Sequence, residues 1–242
     1  MITKRELQKI GKGSQLHLYQ LEKEYLLKLF LYFYYQRFED AVFKGGTALR
    51  FLFGLDRFSE DLDFNIQSPE TFENQLGKVL SDMKKIGINN SLLKKEIFEG
   101  AFTCEIGFSG PLFTGNIQTR NKFRIDAGIR AGTLETPKWQ LIESEYPETK
   151  HRFPVKMMSP QEILSEKIIA LSERHKGRDL YDVWFLIKSD VEVDGELLDK
   201  KGKFDSIVSK DEYERDISNL TNVLIPYEQV SEEVMQKLFK KQ

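Results

Sequence analysis

The sequence predicts a mixed α/β chain of the α+β type, with helices around a mixed sheet and then a mostly helical C-terminal part. Three observations predict it. Helical apolar patterns at 15–40 and from Pro69 flank short alternating segments at 61–66, 96–108 and 122–130. Ser68-Pro69 and Ser159-Pro160 each pair a capping serine with a proline suited to the first helical position. Beyond residue 159 the remaining patterns are helical or loop-like.

Taken in order, residues 15–40 read as a long helix rich in Leu, Tyr and Phe, buried on more than one side. Gly45-Gly46 breaks the chain, and Thr47–Leu52 reads as a short helix. Asp61–Ile66 reads as a strand. The helix from Ser68-Pro69 runs to about Lys85. Glu96–Phe108 and Lys122–Arg130 are strand candidates on either side of the turn-rich Ser109–Gly115. The polar stretch 131–150 reads as irregular, with a domain boundary near its end. The expected division is a core at 1–150 and a mostly helical domain at 151–242, completing the active-site cleft. In that second part a helix runs from Pro160 to about His175, with Gly177 as its C-terminal stop. A further helix spans Asp179–Lys188, and loop and helices of unassigned extent follow.

The 242 residues suffice for one large or two modest domains with a real core. Hydrophobic residues at 40% and charged residues at 31% are ordinary for a globular protein. A single cysteine forbids an internal disulfide and points to a reducing cytoplasm. Cys104 alternates with Phe102, Ile106 and Phe108, as a core thiol on a strand does. The N-terminus lacks the apolar segment of a secretory signal. The run Tyr25–Tyr35 carries Lys28 and is too short to span a bilayer, so no membrane partner is expected. A net charge of −2 excludes a uniformly basic nucleic-acid coat but permits a local basic patch.

The richest stretch is KGGTALRFLFGLDRFSEDLDF, Lys44 to Phe64. Residues two apart on a strand share a face, so Asp61 and Asp63 project together while Leu62 and Phe64 enter the core. Hard divalent cations such as Mg²⁺ take oxygen ligands, commonly carboxylates and substrate phosphates. A third carboxylate would allow a two-ion site for in-line attack at phosphorus. The strand 122–130 offers one. Phe123, Ile125, Ala127 and Ile129 form its apolar face, which turns Asp126 the other way, flanked by Lys122, Arg124 and Arg130. Gly45 and Gly46 allow backbone to approach a phosphate, and the helix start behind them presents free N–H groups. Thr47 adds a hydroxyl. Farther on, Lys167 and Arg174 share a helix face, and Arg178 and Asp179 follow Gly177. A lysine on such a helix binds triphosphate as a point charge.

Each part alone has a plainer reading. Asp-x-Asp pairs occur on exposed strands, glycine pairs make turns, lysines solvate helix faces, and Asp179 suits a helix cap. Other motifs fail on specific residues. Gly11-Lys12-Gly13-Ser14 lacks the P-loop order. Asp61-x-Asp63-x-Asn65 has Ile66 and Phe72 where an EF-hand needs glycine and glutamate. His17, His151 and His175 make no zinc spacing, and no Gly-x-Ser-x-Gly elbow is present.

Lys44-Gly45-Gly46-Thr47-Ala48-Leu49 with Arg57-Phe58-Ser59-Glu60-Asp61-Leu62-Asp63-Phe64 resembles the AbiEii/AbiGii family, nucleotidyltransferase-like toxins of type IV toxin–antitoxin (abortive-infection) systems. Glu166-Lys167-Ile168-x-Ala170 and Arg178-Asp179-Leu180-Tyr181-Asp182 resemble that family's later motifs. The resemblance covers roughly residues 40–190. It implies a polymerase-β-type nucleotidyltransferase core with a helical C-terminal domain. Carried onto matching positions, it implies Asp61 and Asp63 as Mg²⁺ ligands. Gly46 and Thr47 become triphosphate contacts, Lys167 a catalytic phosphate contact, and Asp179 a residue required for activity. Gly45, Ser59 and Arg178, in or beside the same motifs, are added to the expected nucleotide-binding set on the residue reading. Asp126 joins the catalytic and metal set by strand pattern, not by motif.

The implied reaction moves NMP from a nucleoside triphosphate to an acceptor hydroxyl and releases pyrophosphate. The resemblance implies RNA, in particular a tRNA 3′ end, as one acceptor, and a winged-helix antitoxin encoded nearby as a partner. Arg120, Lys122, Arg124, Arg130, Lys176 and Arg178 give local support for a polyanion. Three other readings stay open: transfer to a small molecule or protein, a non-catalytic nucleotide-binding module, and a metal-dependent nuclease. The whole reading requires Lys167 and Asp179 to face Asp61 and Asp63 across one cleft.

Overall fold

The computed structural model describes residues 1–129 and 133–239. It is a mixed α/β chain, with nine α-helices and a seven-stranded mixed sheet among the described residues. In chain order these are α1 (Lys4–Ile10), α2 (Leu18–Tyr35), β1 (Val42–Lys44), α3 (Gly45–Phe53), β2 (Leu62–Asn65) and α4 (Pro69–Lys85). Then follow β3 (Asn89–Phe98), β4 (Ala101–Ser109), β5 (Asn121–Gly128), β6 (Lys138–Glu143) and β7 (Arg152–Met157). The chain ends in α5 (Pro160–Arg174), α6 (Gly177–Lys188), α7 (Gly195–Lys201), α8 (Lys210–Ile217) and α9 (Tyr227–Phe239).

Chain contacts divide the molecule into two compact units. The first is Met1–Leu52, Glu60–Gly132 and Lys138–Met157, and the second is Phe53–Ser59, Thr133–Pro137 and Met158–Gln242. Residue 150, where the sequence suggests a boundary, falls in the first unit between β6 and β7.

In the first unit the sheet order is β3-β4-β5-β2-β1-β7-β6. β2 pairs antiparallel with β1 and parallel with β5, and β1 pairs parallel with β7. Helices α2 and α4 pack on the sheet, because their aromatic residues meet those of the strands. Phe64 of β2 touches Tyr34 of α2 and Phe72 of α4, and Phe72 also meets Phe102 of β4. Alternation along β2 therefore puts Asp63 on the opposite face from Leu62 and Phe64. Helix α4 starts as its sequence demands: Ser68 Oγ accepts a hydrogen bond from the Thr71 amide at 3.2 Å, and Pro69 takes the first turn.

Several elements differ from the sequence expectation. The long helix is Leu18–Tyr35, and β2 begins at Leu62, so Asp61 sits just before the strand. The candidate strand Glu96–Phe108 is a hairpin. Glu99 and Gly100 take positive φ of 46° and 76°, the two-residue turn geometry that joins antiparallel strands. The stretch 131–150 holds β6, an edge strand on which only Ile142 is buried, so no alternation of buried and exposed positions marks it.

In the second unit α5 packs on α6 and α7, and α6 on α8 and α9. Ser159 Oγ caps α5 by accepting from the Glu162 amide at 3.1 Å. The left-handed residue that ends α5 is His175 (φ 48°), and Gly177 opens α6 instead of closing α5. Close packing is the reason for glycine there. A Cβ at position 177 would lie 2.5 Å from Tyr213 Cα and 2.7 Å from the Glu212 carbonyl oxygen, both backbone atoms of α8. Gly177→Ala is expected to destabilise the protein by about 1–3 kcal/mol, the usual cost of overpacking. Chemical denaturation checks this; an unchanged midpoint contradicts it.

Candidate active site

In the first unit, β1 runs into α3 through Gly45, whose φ of 76° suits glycine. Gly45 also lies directly under Asp63: a Cβ there would come within 2.8 Å of Asp63 Cγ. Gly46 and Thr47 are buried in α3. The Thr47 hydroxyl, offered to phosphate by the sequence reading, has no exposure and donates to the Asp61 carbonyl at 2.5 Å. It thereby ties α3 to the backbone that leads into β2.

Strand pairing brings Asp126 to Asp63. The parallel register of β2 and β5 sets Asp63 beside Asp126, and Leu62 beside Ile125. Neighbours in register point to the same face, so the two carboxylates project together. Asp126 Oδ1 accepts from Thr103 Oγ1 at 2.8 Å and from Arg124 Nε and Nη2 at 3.1 and 2.9 Å. Burial opposes the charge on Arg124, but the bond and charge of Asp126, with the charges of Asp61 and Asp63, raise its pKa further. One guanidinium thus lies in the field of all three aspartates. The donor set, carboxylate oxygens only, fits a hard divalent cation such as Mg²⁺. Among the described residues no group of three His, Cys, Asp or Glu side chains is arranged to hold a metal ion.

The neighbouring cations are largely engaged. Lys122 pairs with Glu105 at 3.0 Å, and Arg120 Nη1 donates to Ser91 Oγ at 3.0 Å. Arg130 lies outside the described residues. Cys104 is buried, and desolvation pushes its thiol up to about 12, which makes it chemically inert.

The second unit holds Ser59, Lys167, Arg178 and Asp179. Ser59 is half-buried, and Arg178 on α6 is exposed. Lys167, on α5, donates to Asp179 Oδ1 at 2.7 Å and lies 2.8 Å from Asp182 Oδ2, both on α6. Arg57 completes the cluster with a two-pronged bond to Asp182 at 2.6 and 2.7 Å. Asp179 Oδ2 is buried with no hydrogen-bond partner among the described residues, and Arg174 Nε is 3.9 Å from it. Sequence reasoning gave no role to Arg57 or Asp182, although both stand inside the quoted motifs.

The cluster has a pH signature. Burial would lift the Asp182 pKa, but Arg57 and Lys167 outweigh it and hold it below the usual carboxylate range. Burial would likewise lower Lys167, but Asp179 and Asp182 outweigh it and raise its pKa. A depressed acid contributes stability above its unfolded pKa, about 3.9 for Asp, and loses it as pH falls through the folded value. A raised lysine contributes below its unfolded pKa, about 10.4, and loses it as pH rises through the folded value. The cluster's stabilisation is therefore expected to be flat between about pH 4 and 10 and lost outside that window. Thermal midpoints of wild type and Asp182→Asn across pH check this. A difference between them that changes near pH 6 contradicts it.

Among the described residues, no helix is long and apolar enough to cross a membrane. No curated protein matches the sequence. Solved structures share the fold, MenT4 and JHP933 among them. MenT4, a nucleotidyltransferase toxin from Mycobacterium tuberculosis, superposes with a TM-score of 0.71 at 17% identity, covering 99% of this chain and 89% of its own. JHP933 from Helicobacter pylori superposes with a TM-score of 0.62 at 19% identity, covering 91% and 90%. The profile of the nucleotidyl transferase AbiEii toxin family of type IV toxin–antitoxin systems matches residues 32–241. With that match covering most of its length, the chain belongs to the AbiEii nucleotidyltransferase toxin family.

Proposed function

We propose that the chain is a Mg²⁺-dependent toxin that transfers NMP from a nucleoside triphosphate to an acceptor hydroxyl. The observation that carries this is the side-by-side placement of Asp63 and Asp126 above Gly45. In the reaction the acceptor oxygen bonds to the α-phosphorus, the bond from that phosphorus to pyrophosphate breaks, and the hydroxyl proton leaves to a base. Asp126 orients or deprotonates that hydroxyl. Gly45, Gly46, Ser59, Lys167 and Arg178 hold the nucleotide, and Asp179 fixes Lys167. Asp63 and Asp126, with Asp61 just before β2, would hold one or two Mg²⁺ ions together with substrate phosphate oxygens. Those oxygens complete a ligand set that the carboxylates do not form by themselves among the described residues, and bound Mg²⁺ would neutralise phosphate charge. Positioning and charge neutralisation supply most of the catalysis in phosphoryl transfer.

The acceptor in this reading is RNA, a tRNA 3′ end among the candidates. A cytoplasmic location and a winged-helix antitoxin as partner belong to the same proposal. A second reading, transfer to a small molecule or protein, is favoured by one observation: Lys122 and Arg124, cations offered to RNA, are paired with Glu105 and Asp126.

The test incubates the protein with Mg²⁺, each α-labelled nucleoside triphosphate in turn, and cell extract. Label on RNA, lost without Mg²⁺, supports the first reading, and label on protein or small molecules supports the second. Transfer to no acceptor would leave a nucleotide-binding module.

A further inference from the structure

We propose that Arg57 and Asp182 are positioning residues that hold the Lys167 ammonium in place for the nucleotide. The inference rests on the reading of Lys167 as a phosphate contact. Arg57 Nε and Nη2 donate to the two oxygens of Asp182 at 2.6 and 2.7 Å, and Nη1 donates to the Phe58 carbonyl at 3.1 Å. Three guanidinium nitrogens thus have fixed acceptors. A forked pair of this kind sets the plane of the carboxylate as well as its place. Asp182 Oδ2 in turn sits 2.8 Å from Lys167 Nζ. Asp179 Oδ1 takes another Lys167 donor at 2.7 Å.

The result is an alternating row of charges, Arg57, Asp182, Lys167 and Asp179. Arg57 is 3% exposed and Asp182 is fully buried. A lysine head on a four-carbon stem is mobile, and two carboxylates on one helix remove that freedom. Stability alone does not explain the arrangement, because well-packed apolar residues commonly replace a buried ion pair at no cost. What apolar residues cannot reproduce is a fixed Asp182 oxygen for Lys167.

The same segment, Phe53–Ser59, is held at two further points. The Phe58 amide donates to the Leu220 carbonyl at 2.7 Å, and Tyr181 OH donates to Asp56 Oδ1 at 2.7 Å. The backbone that carries Arg57 is therefore anchored independently of the fork. Loss of the Arg57 head group should release Asp182 while the segment stays docked.

The test compares wild type, Arg57→Lys, and the double variant Arg57→Met with Asp182→Leu. Three quantities are read: the thermal midpoint, the affinity for a fluorescent nucleoside triphosphate analogue, and the rate at which Lys167 is acylated, followed by mass spectrometry. The double variant is expected to keep its thermal midpoint, bind the nucleotide at least about tenfold more weakly, and acylate Lys167 faster. Arg57→Lys, which keeps the charge but not the fork, should fall between the two. A folded double variant with wild-type affinity and labelling rate overturns the proposal. If the double variant does not fold, Arg57→Lys with wild-type affinity and labelling overturns it instead. Lys167→Met separates the two claims: unchanged nucleotide affinity there rejects Lys167 as a phosphate contact, while the acylation rates still test its positioning by Arg57.

Discussion

Asp63→Ala is expected to abolish nucleotide transfer and leave the fold intact. Asp63 lies on the sheet face opposite the aromatic core, so its loss removes no packing around Phe64. It stands in register with Asp126 and in the shared field at Arg124, so removing one carboxylate also relieves like-charge repulsion. Stability should change by less than about 1 kcal/mol, as for most substitutions outside a packed core. Activity should fall at least about 10²–10³-fold, the loss seen when one preorganised electrostatic contact to a transition state is deleted. Label transfer and thermal unfolding on the same preparation check both halves. A variant that retains a tenth of the activity would remove Asp63 from the catalytic set.

Lys167→Ala should damage both stability and nucleotide binding. The side chain is 12% exposed and stands between two carboxylates that are 2% and 0% exposed. Arg57 still neutralises Asp182 in the variant, so the cost falls on Asp179. Its Oδ1 loses its donor, and its Oδ2 already lacks one. Breaking a buried pair from one side costs about 3–5 kcal/mol, and the nearby Arg174 places this case at the lower end. Added Asp179→Ala should recover part of that stability, because the stranded charge is then gone, but should not restore nucleotide binding. Denaturation curves for the single and double variants check the first half, and nucleotide titration the second. A double variant no more stable than the single one would contradict the buried-charge account.

The parts legible in the sequence were those with local signals. Ser68-Pro69 and Ser159-Pro160 mark their helices because cap and proline act within one turn. The alternation of Phe123, Ile125 and Ala127 placed Asp126 on the polar face of β5. Its pairing with β2 is a contact between distant segments, for which neither strand carries a local sign. β1 is three residues long, and β6 is an exposed edge, so neither shows the pattern that betrays a buried strand. Gly177 looked like a stop because glycine usually ends helices; here the neighbouring backbone of α8 requires it. Arg57 and Asp182 are 125 positions apart, and their fork is visible only in three dimensions. The resemblance to the AbiEii family joins motifs spread across the chain, but it gives no role to Arg57 or Asp182, and Asp126 rests on strand pattern alone.

Transfer of NMP means attack at the α-phosphorus. Parallel reactions with α-labelled and γ-labelled nucleoside triphosphate, with Mg²⁺ and cell extract, test it most directly. Wild type is expected to put α-label on the acceptor and γ-label in released pyrophosphate, and Asp63→Ala to give neither product. Retention of γ-label on the acceptor, or α-label transfer undiminished in Asp63→Ala, would contradict it.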